Sequence, residues 1–532
     1  MSNRKKEILG IILILVVQTI IFVIAGINKS YIHMDEAYSL GLASYDKTEI
    51  QANDDFYNTW HDNKYYEDYL AVNDDEKGSF WQVYENQKND VHPPFYYLLL
   101  RIMMGFSMNH YSKWPGIILN IVIYCFITVF MYLILKKLLK NEKNVEAKAL
   151  ILAFTSSVIL ASITTAIYIR MYALATLNII ITMYLHLKLL DEEKPSTKLL
   201  IGIGISALIG SLTHYYYLFF LAPLFVMMAI KFVKQKNYKL LGKYTVTMII
   251  AAILSLAIFP YSIKHMFFGY RGQGAISNLT DISKFATAIG GYISKISKFA
   301  FNTMLPTIAI VILLIIIYKL IRKIKLSEQK NIYIKYLAIP TLFYFVIVAV
   351  ASPWIELRYV MPICGIVFVL VMYIMYILLK NIVKSEILDK IFLAVLALIL
   401  IMPAILNTFV LKKEVLEPEV EYSDKRQIVE TLSNDLNVPT IYSFNSNNNR
   451  FLDDILLFAK INESYIAKDF GWTEENIKKI MEGKDLQNGI VVFINEGQEN
   501  DEILIKLQQT LHLGKIEYLK RLNACDVYYI MK

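Results

Sequence analysis

About eleven apolar runs of spanning or near-spanning length divide this chain, more contiguous apolar sequence than a water-soluble core can bury. The first, Ile8 to Ile27, is about twenty residues long, enough at 1.5 Å per residue to cross roughly 30 Å of hydrocarbon. The others are Trp114 to Leu135, Ala149 to Tyr168, Met171 to Leu190, Leu199 to Thr213, Tyr215 to Phe232, Tyr244 to Tyr261, Phe299 to Tyr318, Tyr336 to Ala351, Tyr359 to Leu379 and Ile391 to Leu411. Hydrophobic residues make up 56% of the 532 and charged residues only 19%, with a mean hydropathy of +0.43, which places the chain in the membrane class. Arg4, Lys5 and Lys6 precede the first run as they would in a signal peptide, but no small-residue cleavage site follows, so it reads as an uncleaved span.

Two stretches decide the topology. Ala149 to Leu190 is too long for one helix, and Arg170 interrupts it; a lone arginine at mid-bilayer costs at least roughly 2.5 kcal/mol, whereas at a hairpin tip it reaches water. Leu199 to Phe232 poses the same question around His214 and three tyrosines. Reading each as two spans joined by a tight turn, with the N-terminus inside, puts every strongly basic connection on the cytoplasmic side: Lys136-Lys137 to Lys148, Lys188 to Lys198, Lys231 to Lys243, Lys319 to Lys335 and Lys380 to Lys390. The net charge of +8 is then a topogenic signal and no argument for nucleic-acid binding.

The expected fold is a polytopic α-helical membrane protein of about eleven spans with a small extracytoplasmic α/β domain at its C-terminus. Its segments are the first span at residues 1–27, a large outer loop at 28–113, a bundle of about ten spans at 114–411 and the α/β domain at 412–532. Phe95 to Phe106 is too short to cross and reads as an interfacial or re-entrant helix, with Pro93 and Pro94 at its start, where a missing amide hydrogen costs nothing. In the last segment Val438 to Phe444, Gly489 to Asn495 and Cys525 to Ile530 read as strands, and Phe451 to Lys460, Thr473 to Met481 and Asp501 to Leu511 as helices. Cys125, Cys364 and Cys525 show neither zinc nor CxxC spacing, and the lack of a GxxxxGK loop counts against an ATP-driven pump.

Polar residues gather at what this topology makes the outer ends of the runs. Asp35-Glu36 lies just beyond the first span, at the membrane surface, where partial desolvation raises a carboxylate's basicity; the loop holds many other acids, and this position is what distinguishes the pair. His92-Pro93-Pro94 is balanced between a site histidine and a plain helix start. Arg170, two residues before Tyr172, is a cation at a hairpin tip that suits a fixed anion such as a phosphate, against snorkelling to lipid headgroups. His214 and Tyr215 to Tyr217 read equally as an interfacial aromatic belt, and Arg358, between Glu356 and Tyr359, as a salt bridge to Glu356. A carboxylate, a histidine, arginines and tyrosines at one boundary suit a reaction between something membrane-anchored and phosphorylated and something presented from outside.

In this order, Asp-Glu after the first span, His-Pro-Pro before a juxtamembrane helix, Arg-x-Tyr on a span turn, Thr-His-Tyr-Tyr and Glu-x-Arg-Tyr-x-x-Pro, the motifs resemble those of the GT-C superfamily of polytopic glycosyltransferases. Within it the chain is most similar to glycosyltransferase family 39 and its neighbours, the bacterial relatives of protein O-mannosyltransferases and of the aminoarabinose transferases. The resemblance implies a polyprenyl-phosphate-linked sugar donor, an acceptor that is a glycolipid, a cell-wall polymer or a protein, and transfer with inversion on the outer face of the cell membrane. It implies Asp35 as the catalytic base and Glu36 as the residue that positions the acceptor or Asp35. Arg170 and Arg358 are candidates for the leaving phosphate, with Tyr172, His214, Tyr215, Glu356 and Tyr359 around the donor. His92 stands where some relatives carry a lysine, leaving open contact with phosphate, sugar or a metal; a divalent metal is the one cofactor in question. Ser262 to Lys298 is too short for the extra sugar-binding-like domain of protein O-mannosyltransferases, which favours a lipid or polymer acceptor. The competing readings are a flippase or transporter of a lipid-linked sugar, which would hold its ionisable groups nearer the midplane, an O-antigen-type ligase, with its site in a late outer loop, and a non-catalytic assembly or receptor protein.

Overall fold

A computed structural model describes residues 3–29, 32–44, 54–192, 194–324, 332–380, 382, 386–409, 429–431, 434, 437–445, 450–495, 498–522 and 525–532. The end of the last apolar run at 410–411, the expected inner-loop residues 193, 325–331, 381 and 383–385, and the start of the C-terminal segment at 412–428 lie outside them. The chain divides into two compact units, one of Met1–Asn28, Asp90–Tyr96 and Gly116–Glu417, the other of Lys29–Asn89, Tyr97–Pro115 and Pro418–Lys532.

The first unit is a helical bundle. Among the described residues, eight of its helices are long and apolar enough to cross a membrane, and the number rises to ten if each of two bent pairs is one span: Val145–Ser157 with Leu160–Ile167, bent by 58°, and Phe285–Phe301 with Leu305–Ile321, bent by 89°. The count stops short of the eleven expected because the run Leu199 to Thr213 yields only Thr197–Ser211, a helix of 15 residues. At 1.5 Å per residue that helix is about 22 Å long, less than the hydrocarbon thickness. A serine relieves the first bend, since Ser162 Oγ donates to the carbonyl of Ser156 at 2.7 Å, satisfying a carbonyl that the broken ladder releases.

Both long stretches part where the polar residues interrupt them. One helix ends at Ile167 and the next begins at Tyr172; another ends at Ser211 and the next begins at Tyr217. The basic connections meet at the opposite end of the bundle. Lys137 pairs with Asp191 at 2.5 Å, Lys148 with Asp389 at 2.8 Å and Lys380 with Glu142 at 2.8 Å, while Lys231 donates to the carbonyl of Leu190 at 3.0 Å and Lys140 to the hydroxyl of Tyr333 at 3.0 Å. The lysines of these connections thus gather at one rim of the bundle.

The second unit is built on one six-stranded sheet: β1 (Trp60–Asp62), β2 (Thr440–Phe444), β3 (Glu463–Lys468), β4 (Ile490–Asn495), β5 (Ile516–Leu522) and β6 (Cys525–Ile530), in the order β1-β3-β2-β4-β6-β5. β2 runs parallel to β3 and β4, and the other pairs are antiparallel. β2 and β4 are buried at every residue because both faces of the sheet are covered. Ile441, Val492 and Ile494 pack with Trp472, Ile477 and Leu507 on one face. On the other, the Tyr442 ring meets Phe458 and Phe493 at 5.6 and 5.8 Å.

Three of these strands were expected and three were not. β3 and β5 went unread, and β1 comes from the outer loop, pairing Trp60 with Tyr465 and Asp62 with Glu463. The helix expected over Phe451 to Lys460 is only a 3₁₀ turn, Phe451–Asp454, and one α turn, Ile455–Phe458. The short strand β1 leads into the helix Asn63–Leu70, whose N-cap Asp62 accepts from the Tyr65 amide at 2.9 Å. Close by, Gly41 leaves room for Tyr69: a Cβ there would lie 2.0 Å from that ring.

Candidate functional site

In the first unit the sequence-selected residues form a continuous group at the end of the bundle away from the basic rim. Its base is the turn at 168–172, pinned by Asn120, whose Nδ2 donates to the Tyr168 carbonyl at 2.7 Å. Gly116 permits this approach, since a Cβ there would stand 2.4 Å from Ile169 Cγ2. The turn carries Arg170, which is buried, and delivers the Tyr172 ring to within 5.7 Å of His214. The segment before the juxtamembrane helix joins the same place, with the Phe95 amide donating to the Leu212 carbonyl at 3.1 Å and the His92 ring 6.1 Å from that of His214.

Asp90, by sequence one more acid of the outer loop, completes the cluster. Its Oδ2 lies 2.9 Å from His92 Nδ1. Burial works to raise its pKa, but the charge and hydrogen bond of His92 and the charge of Arg170 prevail and hold it below the usual carboxylate range. His214 goes the other way for a cation: burial first, then the charges of His92 and Arg170, push its pKa well below the usual histidine value. It is neutral, and its Nδ1 accepts from the Tyr216 amide at 3.1 Å. Tyr215 turns from this cluster to His265, its hydroxyl 2.9 Å from Nδ1.

A ring contact from His214 to Tyr216 at 5.0 Å and from Tyr216 to Tyr359 at 6.1 Å leads to the second cationic patch. There Arg358 pairs with Glu356 at 2.8 Å and lies over Tyr359 and Trp354, at 5.2 and 5.8 Å. Sequence reasoning missed Arg271. Its guanidinium sits 4.5 Å from the Trp354 ring and 5.0 Å from that of Tyr270, with no carboxylate partner among the described residues. Rings hold such a cation in place without neutralising it.

Asp35 and Glu36 lie in the second unit, at the start of the helix Met34–Ser44, and the structure gives them different surroundings. Successive helix residues point about 100° apart. Glu36 is fully buried, accepting from the Lys29 ammonium at 2.9 Å and from the His33 amide at 2.9 Å. The second bond is the Glu36 half of a capping box, and the His33 ring caps the amide before it, its Nδ1 accepting from the Asp35 amide at 3.1 Å. Asp453 takes the first helical amide, that of Met34, on Oδ1 at 2.8 Å, and its Oδ2 accepts from Arg450 Nε and Nη2 at 2.9 and 2.8 Å. The Asp35 side chain retains 18% exposure against 0% for Glu36, so Asp35 is the one of the pair that solvent reaches. Among the described residues, no three His, Cys, Asp or Glu side chains are grouped to hold a metal ion.

No protein-family profile matches this sequence, and no curated protein sequence does. Solved structures do match. The crystal structure of ArnT from Cupriavidus metallidurans bound to undecaprenyl phosphate aligns over 97% of this chain and 97% of its own, with a TM-score of 0.54 at 9% identity. The chain shares the fold of ArnT. ArnT in the apo state aligns over 99% of this chain and 98% of its own, with a TM-score of 0.51 at 9% identity. The oligosaccharyltransferase AglB from Archaeoglobus fulgidus, in complex with an inhibitory peptide and a dolichol-phosphate, aligns over 92% of this chain and 70% of its own, with a TM-score of 0.49 at 12% identity. The ArnT alignment takes in both the bundle and the sheet-bearing unit, for it spans nearly the whole of each chain.

Proposed function

We propose that this multi-pass membrane protein is a glycosyltransferase that moves a sugar from a polyprenyl-phosphate-linked donor to an acceptor hydroxyl on the outer face of the membrane, with inversion. The observation that carries the reading is a cationic group on the fold of a protein crystallised with undecaprenyl phosphate: Arg170 and His92 beside Asp90, and Arg271, stacked on Trp354 beside Arg358 with no carboxylate partner among the described residues.

In the reaction the acceptor oxygen bonds to the anomeric carbon as the bond from that carbon to the phosphate oxygen breaks. The acceptor proton passes to the Asp35 carboxylate, and polyprenyl phosphate leaves with the bonding electron pair. General-base help of this kind is worth about 10²–10⁴ in rate. Charge grows on the phosphate in the transition state, where fixed guanidinium groups stabilise it more than they stabilise the donor. Arg170 and Arg271 take that role, with Arg358 oriented by Glu356 and His92 by Asp90. Neutral His214, with Tyr172 and Tyr359, lines the donor side. Glu36 positions Asp35 through the helix cap rather than touching substrate. A single displacement from the face opposite the phosphate inverts the anomeric centre.

The test uses protein in nanodiscs, a panel of sugar-labelled undecaprenyl phosphates and membrane extract, comparing wild type with Asp35→Asn. Label transferred by wild type and lost in the variant is the expected result. Transfer that survives the substitution removes Asp35 as base, and no transfer from any donor, with lipid-linked sugar flipped instead, would replace the enzyme reading by a transporter.

A further inference from the structure

A cleft of about 630 Å³ opens beside β1 in the second unit, lined by Trp60, His61, Asp62 and Tyr65 of the outer loop and by Asn437, Asn462 and Glu463 of the C-terminal segment. We propose that this cleft binds the saccharide part of a glycan acceptor. The name acceptor rests on the transferase reading above; the binding itself does not.

The lining has the two features that a sugar needs. Trp60 and Tyr65 present half-buried rings, and the C–H face of a pyranose meets the negative face of an aromatic ring favourably. Polar groups stand among them, each fixed by one bond and with capacity left over. Asp62 Oδ1 is held by the Tyr65 amide at 2.9 Å, Asn437 Oδ1 by Asn462 Nδ2 at 3.1 Å, and Glu463 Oε2 by the Lys484 ammonium. The second carboxylate oxygens of Asp62 and Glu463 and the Asn437 amide nitrogen have no partner among the described residues. Two acceptors and a donor on an immobilised frame match paired hydroxyls with little ordering left to do. The indole is fixed in the same way, its Nε1 donating to the Ile480 carbonyl at 2.8 Å and Lys484 lying 4.0 Å above the ring. Two carboxylates disfavour an anionic ligand, and β1 has only three residues, too few for a peptide to add as a further strand.

The experiment measures binding to the full-length protein in nanodiscs, without donor, of a panel of tri- to pentasaccharides of glucose, galactose, mannose and N-acetylglucosamine. Saturation-transfer NMR finds the binder and calorimetry gives its Kd. Asp62→Ser keeps a helix cap while removing the carboxylate, and Asn437→Gly suits the left-handed backbone there (φ 52°) while removing the amide. The expected result is a saccharide that binds to wild type and at least tenfold more weakly to the double variant, with Tm and undecaprenyl phosphate affinity unchanged. The proposal is overturned if no saccharide in the panel binds, if the double variant and Trp60→Ala both bind as wild type does, or if an extended peptide displaces the sugar. Saccharide binding in a protein whose transfer survives Asp35→Asn would leave this site standing and remove the proposed base, so the two failures are distinguishable.

Discussion

The amide of Met34, the first residue of the helix that carries Asp35, donates to Oδ1 of Asp453 at 2.8 Å, so the C-terminal segment, which also pairs with the outer loop through β1, caps this helix. Removing a capping acceptor costs about 0.5–2 kcal/mol. Asp453→Ala should lower kcat about tenfold, with the KM for lipid-linked donor unchanged, because the helix end that aims Asp35 loosens. Asp453→Asn, which keeps the acceptor, should retain most of the activity. Equal losses in the two variants, or a rise in donor KM, would sink this positioning role.

Glu36 and Lys29 make a buried ion pair, and stranding one member of such a pair costs about 3–5 kcal/mol. Glu36→Gln keeps the bond to the His33 amide but takes the negative charge away from Lys29. It should lower Tm clearly, and adding Lys29→Met should recover part of the loss. Thermal melts of the two single variants and the double variant check this; strictly additive losses would show that the two residues are not coupled.

Arg271 is stacked on two rings and has no carboxylate partner among the described residues. A charged hydrogen bond to phosphate is worth about 1.5–3 kcal/mol, so Arg271→Ala should weaken undecaprenyl phosphate binding on the order of 10–100-fold. Arg271→Lys should recover only part, because the ammonium keeps the charge but loses the planar stack. Unchanged affinity in the alanine variant would remove Arg271 from the donor site.

His214 carries a pH signature. Its folded pKa is depressed by burial and by the charges of His92 and Arg170, so below about pH 6.5 the unfolded chain takes up a proton that the folded chain refuses. Stability is therefore intact above that pH and falls as the pH drops toward the folded pKa. His214→Asn, which preserves an acceptor for the Tyr216 amide, should flatten the decline of Tm between pH 7 and pH 5. A wild-type Tm that stays constant across this range would contradict the assignment.

The residues explain what the sequence shows and what it conceals. Apolar length announces the spans, and Arg170 and His214 announce the breaks between them, because a charged or polar group in lipid is costly enough to dictate local structure. β1 has three residues, and β5, Ile516–Leu522, is half exposed with lysine and arginine along it, so neither has a pattern strong enough to read. The stretch from Phe451 has helical spacing, yet its acids point inward to buried positions and the helix stops after one turn. The paired look of Asp35 and Glu36 conceals a division of labour that only their surroundings reveal, one carboxylate reaching solvent and the other bound to Lys29. Arg271 was illegible because its partners, Trp354 and the Arg358 patch, are close only in space.

The cap between Met34 and Asp453 joins residues 419 positions apart in the chain. At a synthesis rate of about 5–20 residues per second, the helix bearing Asp35 exists for roughly 20–80 s before its anchor has been made. The proposed base is therefore set in place among the last events of biogenesis, and a ribosome-bound or truncated chain holds its spans in the membrane before it is armed.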